Sequence, residues 1–430
     1  MSATFREAVR YAVRATCLSP IRTGGTGLTA EQILRDAAGK PYFHGASLAG
    51  ALREHCRLAF GKDAAEALFG SQKASGHLVI SDGSFPENSA TELRPRLRIN
   101  GKTGTADPHG KFDVAHLPVG TELTFTITWM GFPEDAHQLT QVEQLLSALH
   151  HGQIRLGGQK TNGFGRVQLE VRRQIYHLSD AHDRQCWLEE LDEAVPMTLP
   201  AVEQAKQLTF VVEGEADSIL VKSGNIERRN DRNVTVPIRE QGVSIVPGSS
   251  VKGSLRNRVA LIGQMLGKPE VADNLFGRMN NGEDNGVAGR VIVDDVRLSD
   301  AKAREISRIR INRFTGGVIR NGLFTEEPLQ SPVTLRLSLL EAPETQETHE
   351  SQESDGGYLL YALRDLGLGL WNLGSGASVG RGYIRVHTIT VTHSDGRTGV
   401  LRFDDLGRCT MEDRDGILEK LCEQAKGDGQ

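Results

Sequence analysis

The sequence predicts an α+β protein assembled from two tandem copies of one unit, and three observations carry that prediction. First, a strand-like lead-in, a small-residue turn and an arginine-bearing helix occur twice, as His44-Gly-Ala-Ser-Leu-Ala-Gly50 with Ala51-Leu-Arg53 and as Pro247-Gly-Ser-Ser-Val-Lys-Gly253 with Ser254-Leu-Arg-Asn-Arg258. Second, four motifs recur in the same order: Leu68-Phe-Gly70 as Leu275-Phe-Gly277, Gly76 to Asp82 as Gly289 to Asp295, Arg98-Ile-Asn100 as Arg310-Ile-Asn312, and Gly163 to Arg166 as Ser378 to Arg381. The offsets of 203, 207, 213, 212 and 215 residues drift as small loop insertions would make them, so the chain reads as an internal duplication. Third, each half mixes strand-period and helix-period segments.

In the first copy, Val9, Tyr11, Val13 and Ala15 alternate with polar partners from Ala8 to Leu18, giving a first strand. A turn-rich loop follows from Ser19 to Gly27, Ala49 to Phe60 is helix-like up to Gly61, and Leu78 to Ile80 is a short strand. Arg96 to Leu117 reads as two strand stems around a glycine-, proline- and charge-rich tip, and Glu122 to Thr128 alternates as a strand. Val142, Leu145, Leu146 and Leu149 give helical spacing over Thr140 to His151, and after the loop Gly157 to Gly165 the strand Arg166 to Arg172 closes the copy. Strand, helix, strands, helix, strand is the order of a ferredoxin-like or related split βαβ fold with insertions. The second copy starts at Leu208 to Val212 and continues through a strand at Val333 to Leu340, a helix at Tyr358 to Leu370 and a strand at Ile384 to Val391. The expected domains are 1–186 and 208–400, joined by an acidic, proline-containing linker 187–207 and followed by a C-terminal tail 401–430 with one helix-like piece at Gly416 to Ala425. The tract Glu341 to Asp355 is expected as a solvated acidic insertion.

A chain of 430 residues suits two domains with full cores. Its 38% hydrophobic content and mean hydropathy of -0.34 describe a soluble globular protein. No apolar run approaches bilayer length and the N-terminus has no apolar signal core, so a cytoplasmic location without a membrane partner is expected. Five cysteines (Cys17, Cys56, Cys186, Cys409, Cys422) are odd in number and form no CxxC pair, so they read as buried or incidental thiols. The histidines His44, His77, His109, His116, His150 and His151 show no HxxxH or HExxH spacing, and no zinc site is assigned.

A net charge of -5 argues by itself against a nonspecific nucleic-acid binder, but a groove needs only a local basic stripe. Arg94, Arg96, Arg98 and Lys102 supply one in the first copy, and Arg304, Arg308, Arg310, Arg313 and Arg320 supply one at the equivalent place in the second. At the repeated turn, glycine lets backbone approach backbone or ligand closely, and serine caps free N–H groups at a helix start. Such a turn readily holds a phosphate, which singles out Ser47 and Arg53 in the first copy and Ser249, Ser250, Lys252 and Arg256 in the second. The glycine-rich loops add Gly157, Gly158, Lys160 and Arg166, and Gly374, Gly376 and Arg381. They are not dinucleotide fingerprints, because Gly374, Gly376 and Gly380 miss the GxGxxG spacing. Taken alone they also read as tight turns.

On these residues the sequence resembles the RAMP superfamily of CRISPR proteins and, within it, the backbone subunits of type III effector complexes, the Csm/Cmr-type Cas-seven group. The matching features are the PGSS-x-KG segment at Pro247 to Gly253 with its degenerate copy at His44 to Gly50, the basic segment after Arg-Ile-Asn, and the glycine-rich loops ending in Gly-Arg. A fused pair of such units looks like the arrangement in some type III-D complexes. The resemblance implies two modified ferredoxin-like (RRM-like) units, each with an inserted thumb hairpin. It further implies that each unit grips the backbone of a guide RNA and pushes its thumb between guide and target RNA, beside other subunits of the complex. The phosphate contacts implied are independent of sequence and weaken with salt. Ala49 stands where the second copy has Lys252, so the first grip leans on Arg53.

Target cutting in such subunits is attributed to an aspartate ahead of the PGSS-like segment, assisting the ribose 2′-hydroxyl with Mg2+ or Mn2+. In the second copy Asn230 to Glu240 offers Asp231, although its spacing from Pro237 is longer than the pattern and Thr235 stands at the usual place; the same aspartate also reads as a solvated loop residue. In the first copy Ala30 to Asp36 offers Glu31 or Asp36 and nothing at the matching point, so that unit is expected not to cut. Asp82 and Asp295 each end a short apolar strand, where a turn-capping role is expected. Two other functions stay open. One is a stand-alone endoribonuclease that processes precursor CRISPR RNA with His44 as general acid or base; the other is a duplicated protein whose glycine loops bind a small phosphorylated ligand.

Overall fold

The computed structural model describes residues 5–24, 29–101, 103–202, 207–278, 286–341 and 352–426. Lys102 and residues 342–351 of the acidic tract lie outside them. By their contacts the residues form two compact units, Met1–Arg94, Phe112–Lys160 and Phe164–Gln204 in one and Pro95–Lys111, Thr161–Gly163 and Ala205–Gln430 in the other.

In the first unit, β1 (Glu7–Cys17) turns Val9, Tyr11, Val13 and Ala15 inward, all 3% exposed or less. α1 (Gly45–Phe60) buries Leu48, Leu52 and Cys56, spaced four apart along one face. Next come β2 (Leu78–Ile80), the hairpin strands β3 (Glu92–Ile99) and β4 (Ala106–His116), whose outer part Pro95–Lys111 is counted with the other unit, then β5 (Glu122–Gly131), α2 (His137–His150), β6 (Val167–His177), α3 (Ala181–Leu188) and β7 (Val195–Met197). β1 lies at the centre of the sheet, antiparallel to β5 and to β6, with Val9 opposite Trp129 on one side and Ile175 on the other. β2 adds to β5 and β7 to β6, giving the order β2-β5-β1-β6-β7. α1 and α2 contribute Leu48, Leu52, Leu145 and Leu149 to the same core as the inward residues of the sheet.

The second unit contains β8 (Gln207–Ile219), the hairpin β9 (Lys222–Arg229) and β10 (Arg232–Pro237), α4 (Gly248–Met265), α5 (Val271–Phe276) and β11 (Val291–Val293). It continues through β12 (Ile306–Ile311), β13 (Val318–Glu326), β14 (Leu329–Leu340), α6 (Gln352–Gly367), β15 (Ile384–His393), β16 (Thr398–Phe403), β17 (Cys409–Glu412) and α7 (Ile417–Lys426). Its sheet runs β11-β14-β8-β15-β16-β17, so β14-β8-β15 repeats β5-β1-β6. A separate sheet of order β9-β10-β13-β12 joins the two hairpins through a parallel contact of Val234 with Thr325.

Two expected boundaries change. The segment expected as a linker carries β7, which pairs with β6 through Val171 and Met197 and so extends the first sheet. The segment expected as a tail carries β16, β17 and α7: Leu401 faces Ile389 and Met411 in neighbouring strands, and Leu418 and Leu421 are fully buried in the second core. Short strands separated by turns give too little sequence pattern to reveal such extensions. Among the described residues, no helix is long and apolar enough to cross a membrane.

Candidate nucleic-acid interface

α1 begins at Gly45 and not at Ala49, and α4 begins at Gly248, so the serines of the repeated turn lie inside the first helical turn. The N–H of Gly45 donates to Asp82 Oδ1 at 2.6 Å, and that of Gly248 to Asp295 Oδ1 at 2.7 Å. A Cβ at residue 45 would lie 2.9 Å from Ile80 O, and one at residue 248 would lie 2.3 Å from Val293 O. The glycines are therefore required because helix and strand backbones touch. A carboxylate already occupies the favourable anion position at each helix N-terminus, which corrects the expectation of an open phosphate turn there. His44 completes the first cap, its Nδ1 accepting the Ala46 N–H at 3.1 Å.

The other residues at these helices differ in availability. Ser47 and Arg53 are exposed, while Ser249 and Ser250 are half-buried. Lys252 is half-buried with Nζ 3.5 Å from Thr161 O; burial, with Arg256 nearby, pulls its ammonium down to about 8. Arg256 donates to Gly277 O at 2.8 Å and pairs with Asp273, tying α4 to α5.

The glycine loops are the same structure twice, at an offset of 217 residues and not 215. Leu156 N–H donates to Gly165 O at 2.9 Å and Leu373 N–H to Gly382 O at 2.8 Å, while Gly158 and Ser375 donate to Arg22 O and Leu220 O at 2.9 and 2.8 Å. Gly157 and Gly374 both have positive φ, 79° and 85°, and face those same carbonyls. Gln159, with φ 63°, takes the left-handed position that Gly376, with φ 88°, holds in the second copy. Lys160 is exposed on the short turn Lys160–Asn162, where the second copy has Ala377–Val379. This register places Arg381 opposite Phe164, and half-buried Arg166 opposite Tyr383. The Gly-Arg ending thus misaligned two arginines with different surroundings. Phe164 is fully buried, 4.7 Å from the Arg94 guanidinium and 5.6 Å from the His116 ring. Arg381, 3% exposed, pairs instead with Glu326 at 2.7 Å.

The two thumbs also coincide. A Cβ at Gly110 would lie 3.1 Å from both Arg98 Cβ and Arg98 O, and one at Gly322 would lie 3.1 and 3.3 Å from the same atoms of Arg310. Of the first basic stretch, Arg94 is buried, Arg96 half-buried and Arg98 exposed. In the second, Arg308 pairs with Glu326 at 3.5 Å. Arg304, Arg310, Arg313 and Arg320 are exposed, with no ion pair among the described residues. Beside them stand exposed Ile309, Ile311 and Val318, and Phe314 at the tip is 91% exposed. The base of this thumb is locked by buried acids: Glu326 with Lys222 at 3.0 Å and with Arg381, and Glu327 with Arg229 and Arg239.

The candidate catalytic carboxylates are turn residues. Asn230 and Asp231, with φ 46° and 58°, form the tight connection between β9 and β10, where Asn and Asp are tolerated in the left-handed region. Asp231 pairs with Arg228 at 3.0 Å and its side chain is 92% exposed. Asp36 Oδ1 accepts the N–H groups of Ala38 and Lys40 at 2.9 and 2.8 Å. Magnesium binding to protein takes one or two carboxylates together with substrate phosphates. Asp231 offers one such carboxylate, exposed and facing Arg228.

A family model of the RAMP superfamily matches residues 14–168 and 211–385. The chain belongs to the RAMP superfamily. The two matched regions run from within β1 to the start of β6 and from within β8 to the start of β15, one per repeat. RAMP membership points to a CRISPR-associated RNA-binding role, since RAMP proteins typically work with CRISPR RNA in effector complexes. No curated protein matches the chain.

Proposed function

We propose that this RAMP protein is a guide-RNA-binding backbone subunit of a type III CRISPR effector complex, a fusion of two Csm/Cmr-type units in the III-D manner that also meets target RNA through its thumbs. The order β2-β5-β1-β6, with α1 and α2 as the crossovers, supports reading each unit as a modified ferredoxin-like fold. The observation that carries the proposal is the second thumb, where Arg304 at its base and Arg310, Arg313 and Arg320 toward its Phe314 tip stand exposed together with aliphatic side chains. Cations that track phosphates, combined with apolar surface on which bases rest, are the components of sequence-tolerant single-strand binding.

The test is RNA affinity against RNA length and salt, for the parent and for a variant with those four arginines changed to Ala. The proposal expects tighter binding to longer RNA and a large loss in the variant; a small phosphorylated ligand competing fully with long RNA contradicts it. Cutting is tested with Asp231→Asn, because Asn keeps the left-handed turn while removing the charge. Unchanged target cutting by the reconstituted complex leaves the chain as a scaffold, and loss of one cut with binding intact assigns chemistry to Asp231.

A further inference from the structure

Between the two family-matched regions, the end of the first unit holds a donor group outside both thumbs. Asp180 caps α3, accepting the N–H groups of His182 and Asp183 at 2.8 and 3.1 Å. The helix sets His182 and Cys186 four residues apart on one face. The chain then turns back, Leu191 donating its N–H to Cys186 O at 3.0 Å, and brings Glu193 alongside. His182 Nε2 lies 3.1 Å from Glu193 Oε2 and 3.5 Å from Cys186 Sγ, and the three donor atoms all lie within 4.8 Å of one another. A tetrahedral zinc ion with Zn–S of about 2.3 Å and Zn–N or Zn–O of about 2.1 Å has S···N and N···O edges of about 3.6 and 3.4 Å. The measured separations approach both.

We propose that His182, Cys186 and Glu193 form a zinc-type divalent metal site, with three protein donors and a fourth position open to solvent. An imidazole–carboxylate pair would account for His182 and Glu193 alone; a thiol directed at the same nitrogen is what a metal site adds. Cys186 is 1% exposed, while the His182 and Glu193 side chains are 63% and 53% exposed, so the sulfur forms the floor and the ion enters from solvent. The surroundings hold the donors in place before any ion arrives. Gln174, 8% exposed on β6, donates to Leu191 O at 3.1 Å and accepts the Glu193 N–H at 3.2 Å. Arg172 pairs with Asp192 at 2.9 Å and donates to Ala194 O at 2.6 Å. On binding, the Cys186 thiol releases its proton to solvent, and thiolate and carboxylate together neutralise the dication. The soft sulfur favours zinc over magnesium or calcium.

The test uses the untagged full chain, loaded with zinc, dialysed against metal-free buffer and assayed for bound metal, then exchanged with cobalt(II). The expected result is one zinc per chain and a thiolate-to-cobalt charge-transfer absorption. Both are lost in Cys186→Ser, both persist in Cys56→Ser, and both weaken in Glu193→Gln, a neutral isostere at an exposed position that leaves the fold intact by circular dichroism. A parent chain that retains no zinc, or a charge-transfer band that survives Cys186→Ser, overturns the proposal.

Discussion

The first thumb, β3 and β4, and the second, β12 and β13, share a framework down to the glycines that pack on Arg98 and Arg310, yet they present different surfaces. In the first, Arg94 is buried against Phe164 and only Arg98 of the described arginines in the stretch is exposed. In the second, four arginines reach solvent while Arg308 and Arg381 are drawn to Glu326. A duplicated backbone therefore fixes where a thumb stands, and the buried partners decide how many of its cations stay exposed. At the base of the first thumb Arg94 stacks on Phe164, and at the base of the second Glu326 and Glu327 pair with Lys222, Arg381, Arg229 and Arg239.

The sharpest way to break this comparison is to attack those two bases. Glu326→Gln leaves Arg381 buried without its charge partner, which costs about 3–5 kcal/mol; Phe164→Ala in the first unit costs a similar ~3–5 kcal/mol through a cavity. Thermal unfolding separates them by pH. Burial pushes the Glu326 carboxyl up, but Lys222 and Arg381 outweigh it and hold the group below the usual range. Its stabilisation is therefore complete above the ordinary glutamate range and lost as pH falls through the lowered value. Glu326→Gln should flatten that acid dependence, and Phe164→Ala should leave it intact.

The next effect compares the cations. Each phosphate contact to a single strand contributes about 0.7 to the slope of log affinity against log salt, so removing four cations lowers the slope by roughly three and the affinity near physiological salt by on the order of a hundredfold. Arg98→Ala in the first thumb should cost only about fourfold by the same arithmetic. The shared part of the design gives an effect of comparable size: Asp82→Ala and Asp295→Ala each remove a helix cap worth about 0.5–2 kcal/mol, and the two losses in thermal stability should match.

Much of the architecture was legible because the repeats carry their own punctuation. The glycines of the PGSS-like turn, the Leu-Phe-Gly helix ends and the Arg-Ile-Asn tips each mark a place where backbones touch, and such places constrain sequence strongly. Burial was not legible. Arg381 and Arg166 both follow a glycine and look equivalent in sequence, but strand starts at Val167 and Ile384 put them two residues out of step. The role of Asp82 and Asp295 as partners of a distant helix start is written in tertiary contact across 37 and 47 residues, which no local motif records. His182, Cys186 and Glu193 escaped notice because a search for histidine pairs or cysteine pairs passes over a mixed set.

The most direct test of the account is the salt dependence of RNA binding by the intact chain and by the variant lacking Arg304, Arg310, Arg313 and Arg320. The account predicts a slope shallower by roughly three in the variant, with affinity in the parent rising as the RNA lengthens. An unchanged slope, or affinity indifferent to RNA length, would contradict it.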